Sequence, residues 1–388
     1  MTEHSIPYEP HFTPKATEGI VRARTIAYLG SPTDHLNNFR SLLASVRREL
    51  LTIPDSIATR RTGRRRFRYI GALSAGACRA SRVLDQLFGT SDREYTSHLC
   101  RAIDKGNIEC VIAFWGIQPL CDVIALKRAR PHVKVILNVL CHPLALSPFR
   151  VAIQNWLLRR SLEWLDGLII SSEAMAGYLR SHVPEVVQTP AFIWPPYLSV
   201  DFFPRRRLSP CKQKPNMVFL GRMDWRHGQA ADNMTAYLNE LMDNGVHIYC
   251  HGDDKASNRQ YEHKFGYMKL SDATEYATQF DASLAAYNLS AIRSPERFSV
   301  TVPDRLVASV AAGIPIAIPA NGYQACKEYL KAYRAVIEFK SASTLADALL
   351  DRPRMEALRT MGEQDSRHYV GERHISQLLA FAESLWRH

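Results

Sequence analysis

Four places in this 388-residue chain set a reactive side chain beside a turn. His142 follows the apolar run 133–140 and precedes Pro143. An imidazole there can take a proton from a hydroxyl near neutral pH or hydrogen-bond a polar group, and it can equally be a structural histidine before a proline turn. Asp34 and His35, in the loop after Gly30, are the alternative acid–base groups. Arg222 directly follows Gly221 at the end of the apolar run 216–220, where bare backbone can approach a phosphate and a guanidinium fork can grip it. Pro303-Asp304-Arg305 opens a helical pattern. Its first turn is an anion site by its exposed N–H groups, and Asp304 near the cap position can also serve as a helix cap.

These residues need elements that bring them together. Apolar runs at 25–29, 110–115, 133–140 and 167–172 read as strands buried on both faces, with helical spacing between them. A further strand is expected at 67–71. Prolines at 190, 195, 196, 204, 210 and 215 break the rhythm, so 189–215 reads as a linker. Alternation restarts with strands at 216–220, 246–250, 282–287 and 314–318. Two successive βα series predict an α/β chain of two doubly wound, Rossmann-like domains facing an interdomain cleft, with ligands beyond the carboxyl ends of the strands. The expected division is a loose leader at 1–24, a first domain at 25–195, a linker at 196–215, a second domain at 216–360 and a terminal segment at 361–388 carrying a helix.

Composition narrows the classes. Apolar residues make up 46% and charged residues 22%, a globular balance. No run is long enough to span a bilayer and the start lacks the pattern of a signal peptide, so a cytoplasmic protein is expected. The eight cysteines form no Cys-x-x-Cys pair and no histidine cluster has zinc-like spacing, which argues against a disulfide framework or structural metal. The net charge is +11, and residues 1–200 hold 25 Lys and Arg against 16 Asp and Glu. The excess peaks at 60–68, either a solvated loop or a surface for an anionic substrate, an anionic membrane or nucleic acid.

The second half resembles the donor domain of GT-B glycosyltransferases, especially the broad group 4 (also called group 1) family and its relatives in bacterial polysaccharide assembly. Phe219-Leu-Gly221-Arg222 resembles the strand end that opens that domain. Phe280-Asp281-Ala-Ser-Leu284-Ala-Ala-Tyr287 resembles a later strand of it. Pro303-Asp304-Arg305-Leu306 running to Ala311-Ala312-Gly313-Ile-Pro315 resembles the helix and turn that follow. Ile193-Trp-Pro195-Pro196 with Val200-Asp201-Phe-Phe203 resembles the interdomain segment, without its glycine, and Ile169-Ile-Ser-Ser172-Glu173 resembles a strand end of the first domain.

The resemblance implies transfer of a sugar from a nucleotide-diphosphate donor to a hydroxyl acceptor, such as a lipid-linked or polysaccharide-precursor glycan, with no metal or other cofactor. It implies donor contacts at Gly221, Arg222, Arg226, Tyr287, Glu296, Asp304 and Arg305, where fixed cations meet the charge that grows on the leaving diphosphate. It implies catalysis at His142, an acceptor side at Gly30, Asp34 and His35, and a late helix returning to the first domain. Glu296 and Asp304 have the spacing of the family's paired acids, but the acid expected to hold the ribose is replaced by Ala308. A non-catalytic GT-B-like sugar- or nucleotide-binding protein is therefore the alternative. Nucleic acid ranks last as a partner because no recognised binding motif accompanies the charge.

Overall fold

The computed structural model describes residues 25–30, 34–46, 48, 50–53, 93–114, 120–143, 148–221, 231, 233–252, 260–289, 292 and 295–386. The leader, the arginine run at 60–68, the strand expected at 67–71, and Arg222 and Arg226 lie outside them.

The first half contains β1 (Thr25–Leu29), α1 (Asp34–Ser45), β2 (Leu50–Ile53), α2 (Arg93–Lys105), β3 (Ile108–Phe114), α3 (Leu120–Ala129), β4 (Lys134–Val139), α4 (Pro148–Ser161), β5 (Gly167–Ile170), α5 (Glu173–His182) and β6 (Ala191–Ile193). Its sheet is wholly parallel in the order β2-β1-β3-β4-β5-β6. The two-residue period of the strands sorts their side chains. Ile26, Ile112, Ile136 and Ile169 face one way and pack with Phe39 and Leu43 of α1. Ala27, Val111, Val135 and Leu168 face the other way, into a core shared with Leu99, Val123, Leu158 and Met175 from α2 to α5.

The second half contains β7 (Asn216–Phe219), α6 (Thr235–Asp243), β8 (His247–His251), β9 (Glu262–Phe265), α7 (Leu270–Ala277), β10 (Ala282–Leu284), α8 (Glu296–Val300), α9 (Asp304–Ala312), β11 (Ile316–Pro319), α10 (Gln324–Tyr329), β12 (Val336–Phe339), α11 (Ala342–Leu350), α12 (Arg352–Asp365) and α13 (Ile375–Ser384). Its sheet is also parallel, ordered β12-β11-β10-β7-β8-β9. Both sheets are doubly wound, and each has a point where the strand order reverses: between β1 and β3 in the first, between β7 and β10 in the second.

The proline-rich stretch is not linker from its first residue. β6 lies inside it and forms the edge of the first sheet, with Trp194 N donating to Ile170 O at 2.8 Å. Pro190 is compatible because it needs only its carbonyl, which accepts from Leu168 N at 2.8 Å.

The chain crosses between the sheets twice, and the crossings bind each other. Leu198 on the outward path bridges Val370 on the return path. Gly371 N donates to Leu198 O at 2.7 Å, and the Glu372 carboxylate accepts from Val200 N at 3.1 Å. A Cβ at position 371 would come within 2.5 Å of the Leu42 side chain of α1, so any larger residue there would push Leu42 out of its place. After it, α13 lies on the first sheet: Ile375, Leu378, Ala382 and Leu385 are buried with Ile26, Cys110 and Trp194. Arg48 clamps the outside of this helix through Glu383 at 3.2 Å.

Because Leu378 is 1% exposed, Leu378→Ala is expected to cost about 2–5 kcal/mol. Urea unfolding followed by circular dichroism would read this, and a loss below about 0.5 kcal/mol would show that α13 is not part of the first domain's core.

Candidate functional site

The two reversal points face each other across the cleft, and most of the described sequence-predicted site residues gather there. On the first side, Gly30 ends β1 and its N donates to Ile53 O at 3.2 Å. Asp34 and His35 stand in the first turn of α1. The His35 ring lies 5.5 Å from the ring of Phe114, which ends β3.

On the second side, Arg305 in the first turn of α9 is buried, at 7% exposure. Its guanidinium lies over Tyr287 at 4.0 Å and over Phe219 at 4.8 Å from the ring centroids. Stacking on aromatic faces offsets part of the loss of water around a buried charge. Gly221 makes room for this arrangement: a Cβ there would come within 2.6 Å of the Phe219 ring and would also strike the Arg305 guanidinium. Tyr287 is held in turn by Tyr323, whose hydroxyl accepts from Tyr287 N at 2.7 Å and donates to Tyr287 O at 3.2 Å. Tyr323 has φ of 58°, rare for so bulky a residue. Sequence reasoning missed it; its signal is the Gly322-Tyr323 turn after β11.

His35 and Asp304 join the two sides. His35 Nε2 lies 3.2 and 3.3 Å from the two carboxylate oxygens of Asp304. Asp304 is thus the first residue of α9 and makes no side-chain cap bond; Pro303 occupies the cap position. Burial disfavours the imidazolium of His35, but the Asp304 carboxylate, aided by Asp34, outweighs it and raises His35 above 6.5. Burial likewise works against the ionised Asp304, yet His35 and Arg305 together hold its carboxyl below the usual range. The Asp304 side chain is nonetheless 70% exposed, so water screens the pair.

His142 sits elsewhere. It is wholly buried, and its Nε2 meets Asn155 Oδ1 of α4 at 2.7 Å. Burial pushes its pKa down to about 4, with the Asn155 bond opposing and His182 adding to the shift. The ring is therefore neutral at ordinary pH and meets Tyr178 edge-on at 6.1 Å. Glu296 is exposed at the start of α8, close enough for its charge to act on Tyr178. Ala308, where the resemblance implies an acid, is buried in α9.

A cavity of about 100 Å³ lies between α1, the outward crossing and the second domain, with His35, Asp34 and Asp304 in its lining. Asn138 of β4 also lines it. This residue was missed by sequence reasoning, although an amide in the otherwise apolar run 135–140 is a visible signal. Among the described residues no group of three His, Cys, Asp or Glu side chains is placed to hold a metal.

The same fold occurs in solved structures. A sucrose-phosphate synthase from Thermosynechococcus elongatus matches with a TM-score of 0.60 at 11% identity, over 94% of this chain and 100% of that one. HepE from Anabaena, in complex with UDP and glucose, matches with a TM-score of 0.58 at 11% identity, over 93% and 99%. A glycosyltransferase from Rickettsia africae matches with a TM-score of 0.57 at 11% identity, over 93% and 98%. No family model and no curated protein matches the chain. At such identities the likeness is one of fold: the chain has the GT-B architecture of two Rossmann-like sheets.

The cross-cleft pair has a pH signature. His35 is raised on folding, so its contribution to stability is complete below 6.5 and is lost as pH rises through the raised folded value. Asp304 is lowered, so its contribution is complete above 3.8 and is lost as pH falls through the lowered folded value. Asp304→Asn should therefore cost up to about 1 kcal/mol near pH 5.5 and distinctly less near pH 9. Urea unfolding of both proteins at the two pH values measures it; an equal cost at both would show that the pair does not depend on the His35 charge.

Proposed function

We propose that this chain transfers a sugar from a nucleotide-diphosphate donor, held by the second domain, to a hydroxyl acceptor at the first domain. The observation that carries the reading is the cross-cleft meeting of His35 with Asp304, one residue from the buried Arg305 over the second sheet's reversal point. A diphosphate at that point would meet a fixed cation already stripped of water, which favours the charge that grows as the nucleoside diphosphate leaves. The N–H groups opening α9 would add to it, and Arg222 and Arg226 are the further cations implied by the resemblance.

In this reading the bond from the sugar's anomeric carbon to the diphosphate oxygen breaks. A bond from the acceptor oxygen to that carbon forms, and the hydroxyl proton passes to the His35 ring. Neutral His35, its Nε2–H directed to Asp304, would receive the proton on Nδ1, and Asp304 would stabilise the resulting imidazolium. The neutral, enclosed His142 would then shape the cleft wall from behind, through Asn155 and Tyr178. The Anabaena relative in complex with UDP and glucose makes UDP-glucose the first donor to test.

No helix among the described residues is long and apolar enough to cross a membrane. The arginine excess of residues 1–200 supports peripheral contact with an anionic surface, on the cytoplasmic side if the acceptor is lipid-linked. Sedimentation with anionic vesicles should retain the protein at low salt and release it at high salt; no retention at low salt would remove this contact.

Incubation with a panel of nucleotide sugars should release nucleoside diphosphate. His35→Gln should lower kcat by about 100-fold or more with donor affinity kept, whereas Arg305→Gln should weaken donor binding. Binding of a nucleotide sugar without turnover under any acceptor would favour the non-catalytic alternative, and undiminished kcat in His35→Gln would remove that residue from the chemistry.

A further inference from the structure

The cavity beside His35 says what kind of acceptor the cleft suits. Its walls are mostly apolar, with Phe39 and Leu42 of α1, Phe114 of β3, Trp194 of the outward crossing, and Leu270 and Val307 of the second domain. At about 100 Å³ it is smaller than the roughly 150 Å³ apolar cavity that takes a benzene ring, so it suits a group of about four to five carbons.

One polar atom in this wall is unsatisfied. Asn138 is 4% exposed, and its Oδ1 accepts no hydrogen bond among the described residues. The other amide at the cavity is committed to holding the crossing: Asn38 donates to Tyr197 O at 2.9 Å and accepts from Ser199 N at 2.6 Å. A buried carbonyl left without a donor is costly, and such groups persist where a ligand completes them. Asn138 Oδ1 can only accept, so the ligand must donate an O–H or N–H.

Charge excludes one class of ligand. Asp34 and Asp304 both line the cavity, facing His35 as the counter-charge. Among the described lining residues His35 alone can carry a positive charge, and a phosphate or carboxylate seated here would meet the two carboxylates beside it.

Resting on the reaction proposed above, we propose that the acceptor is a neutral hydroxyl compound with a compact apolar body. That body fills the cavity, and a donor group on the acceptor hydrogen-bonds Asn138 Oδ1. Short branched aliphatic and allylic alcohols of about four to five carbons share this chemistry; free sugars and phosphorylated acceptors do not.

The test uses the full chain with 2-methylpropan-1-ol for the saturated source, 3-methylbut-2-en-1-ol for the isoprenoid source, and methyl glucoside as the all-hydroxyl control. Saturation-transfer NMR and product formation with the nucleotide sugar are read together. Saturable binding of at least one alcohol, with none of the glucoside, is expected, and the arm that gives product identifies the source. Asn138→Leu should reduce alcohol affinity about tenfold or more, yet leave the melting temperature unchanged or higher, since it removes an unsatisfied buried group. A structural role would lower it. Leu270→Trp, at a half-buried position on the cavity rim, should reduce alcohol binding by filling the space while nucleotide-sugar binding stays. Nucleotide-sugar binding with neither alcohol bound would overturn this inference and leave the proposed reaction standing. Alcohol binding without any nucleotide-sugar binding would overturn the reaction, and with it the assignment of the alcohol as acceptor.

Discussion

A site built from two domains depends on holding one sheet's strand ends against the other's, and a single covalent linker cannot do that. Here the constraint is the paired crossing. Leu198 and Val370 bridge, Glu372 accepts from the backbone of the outward path, and α13 buries its apolar stripe in the first domain. The consequence reaches the chemistry. Gly371 packs on Leu42, and Leu42 is seven residues, about two helical turns, from His35 on α1. The contact that seats the return path thus also fixes where His35 stands relative to α9.

The polar groups of the cleft are arranged at some expense to stability. Arg305 is buried against two aromatic rings, Tyr323 is held at a left-handed φ, and Asn138 presents a carbonyl unsatisfied among the described residues. Each is unfavourable alone, and all three lie at or beyond the carboxyl ends of parallel strands, Asn138 as the last residue but one of β4, where an open α/β sheet receives its ligands. Clustering of unfavourable features at one place is what a preorganised site looks like, because rigid groups need not reorganise when charge develops. His142 belongs to a different arrangement: buried and neutral beside Asn155, it packs as part of the wall.

The main architecture was legible because its signals are local. Continuous apolar runs, most of them ending at or near a glycine or proline, marked β1, β3, β4, β5, β7 and β11, and their alternation with helical spacing implied two doubly wound domains. Four strands were not legible. β2 is four residues long and follows closely on the helical spacing of α1, β6 is three residues long and flanked by prolines, β9 reads Glu-His-Lys-Phe without an apolar run, and β12 alternates too briefly to stand out. All four are sheet edges, where half-burial weakens the hydrophobic pattern that sequence reasoning depends on.

What the sequence by itself determined is the order of elements and the residues available at their ends: Gly221, Tyr287 and Arg305 in the second half, Gly30, Asp34 and His35 in the first. Strand formation and chain termination depend on neighbours a few residues apart, so they can be read along the chain. Only the tertiary structure decided which of these residues meet. His35 and Asp304 are 269 positions apart and touch because the two crossings lock α1 over α9. Asp304, which could have been only a helix cap, became a partner for a histidine. Asn138, one amide in an apolar strand, became the unsatisfied group of a cavity. These outcomes depend on packing between distant segments, which local spacing does not encode.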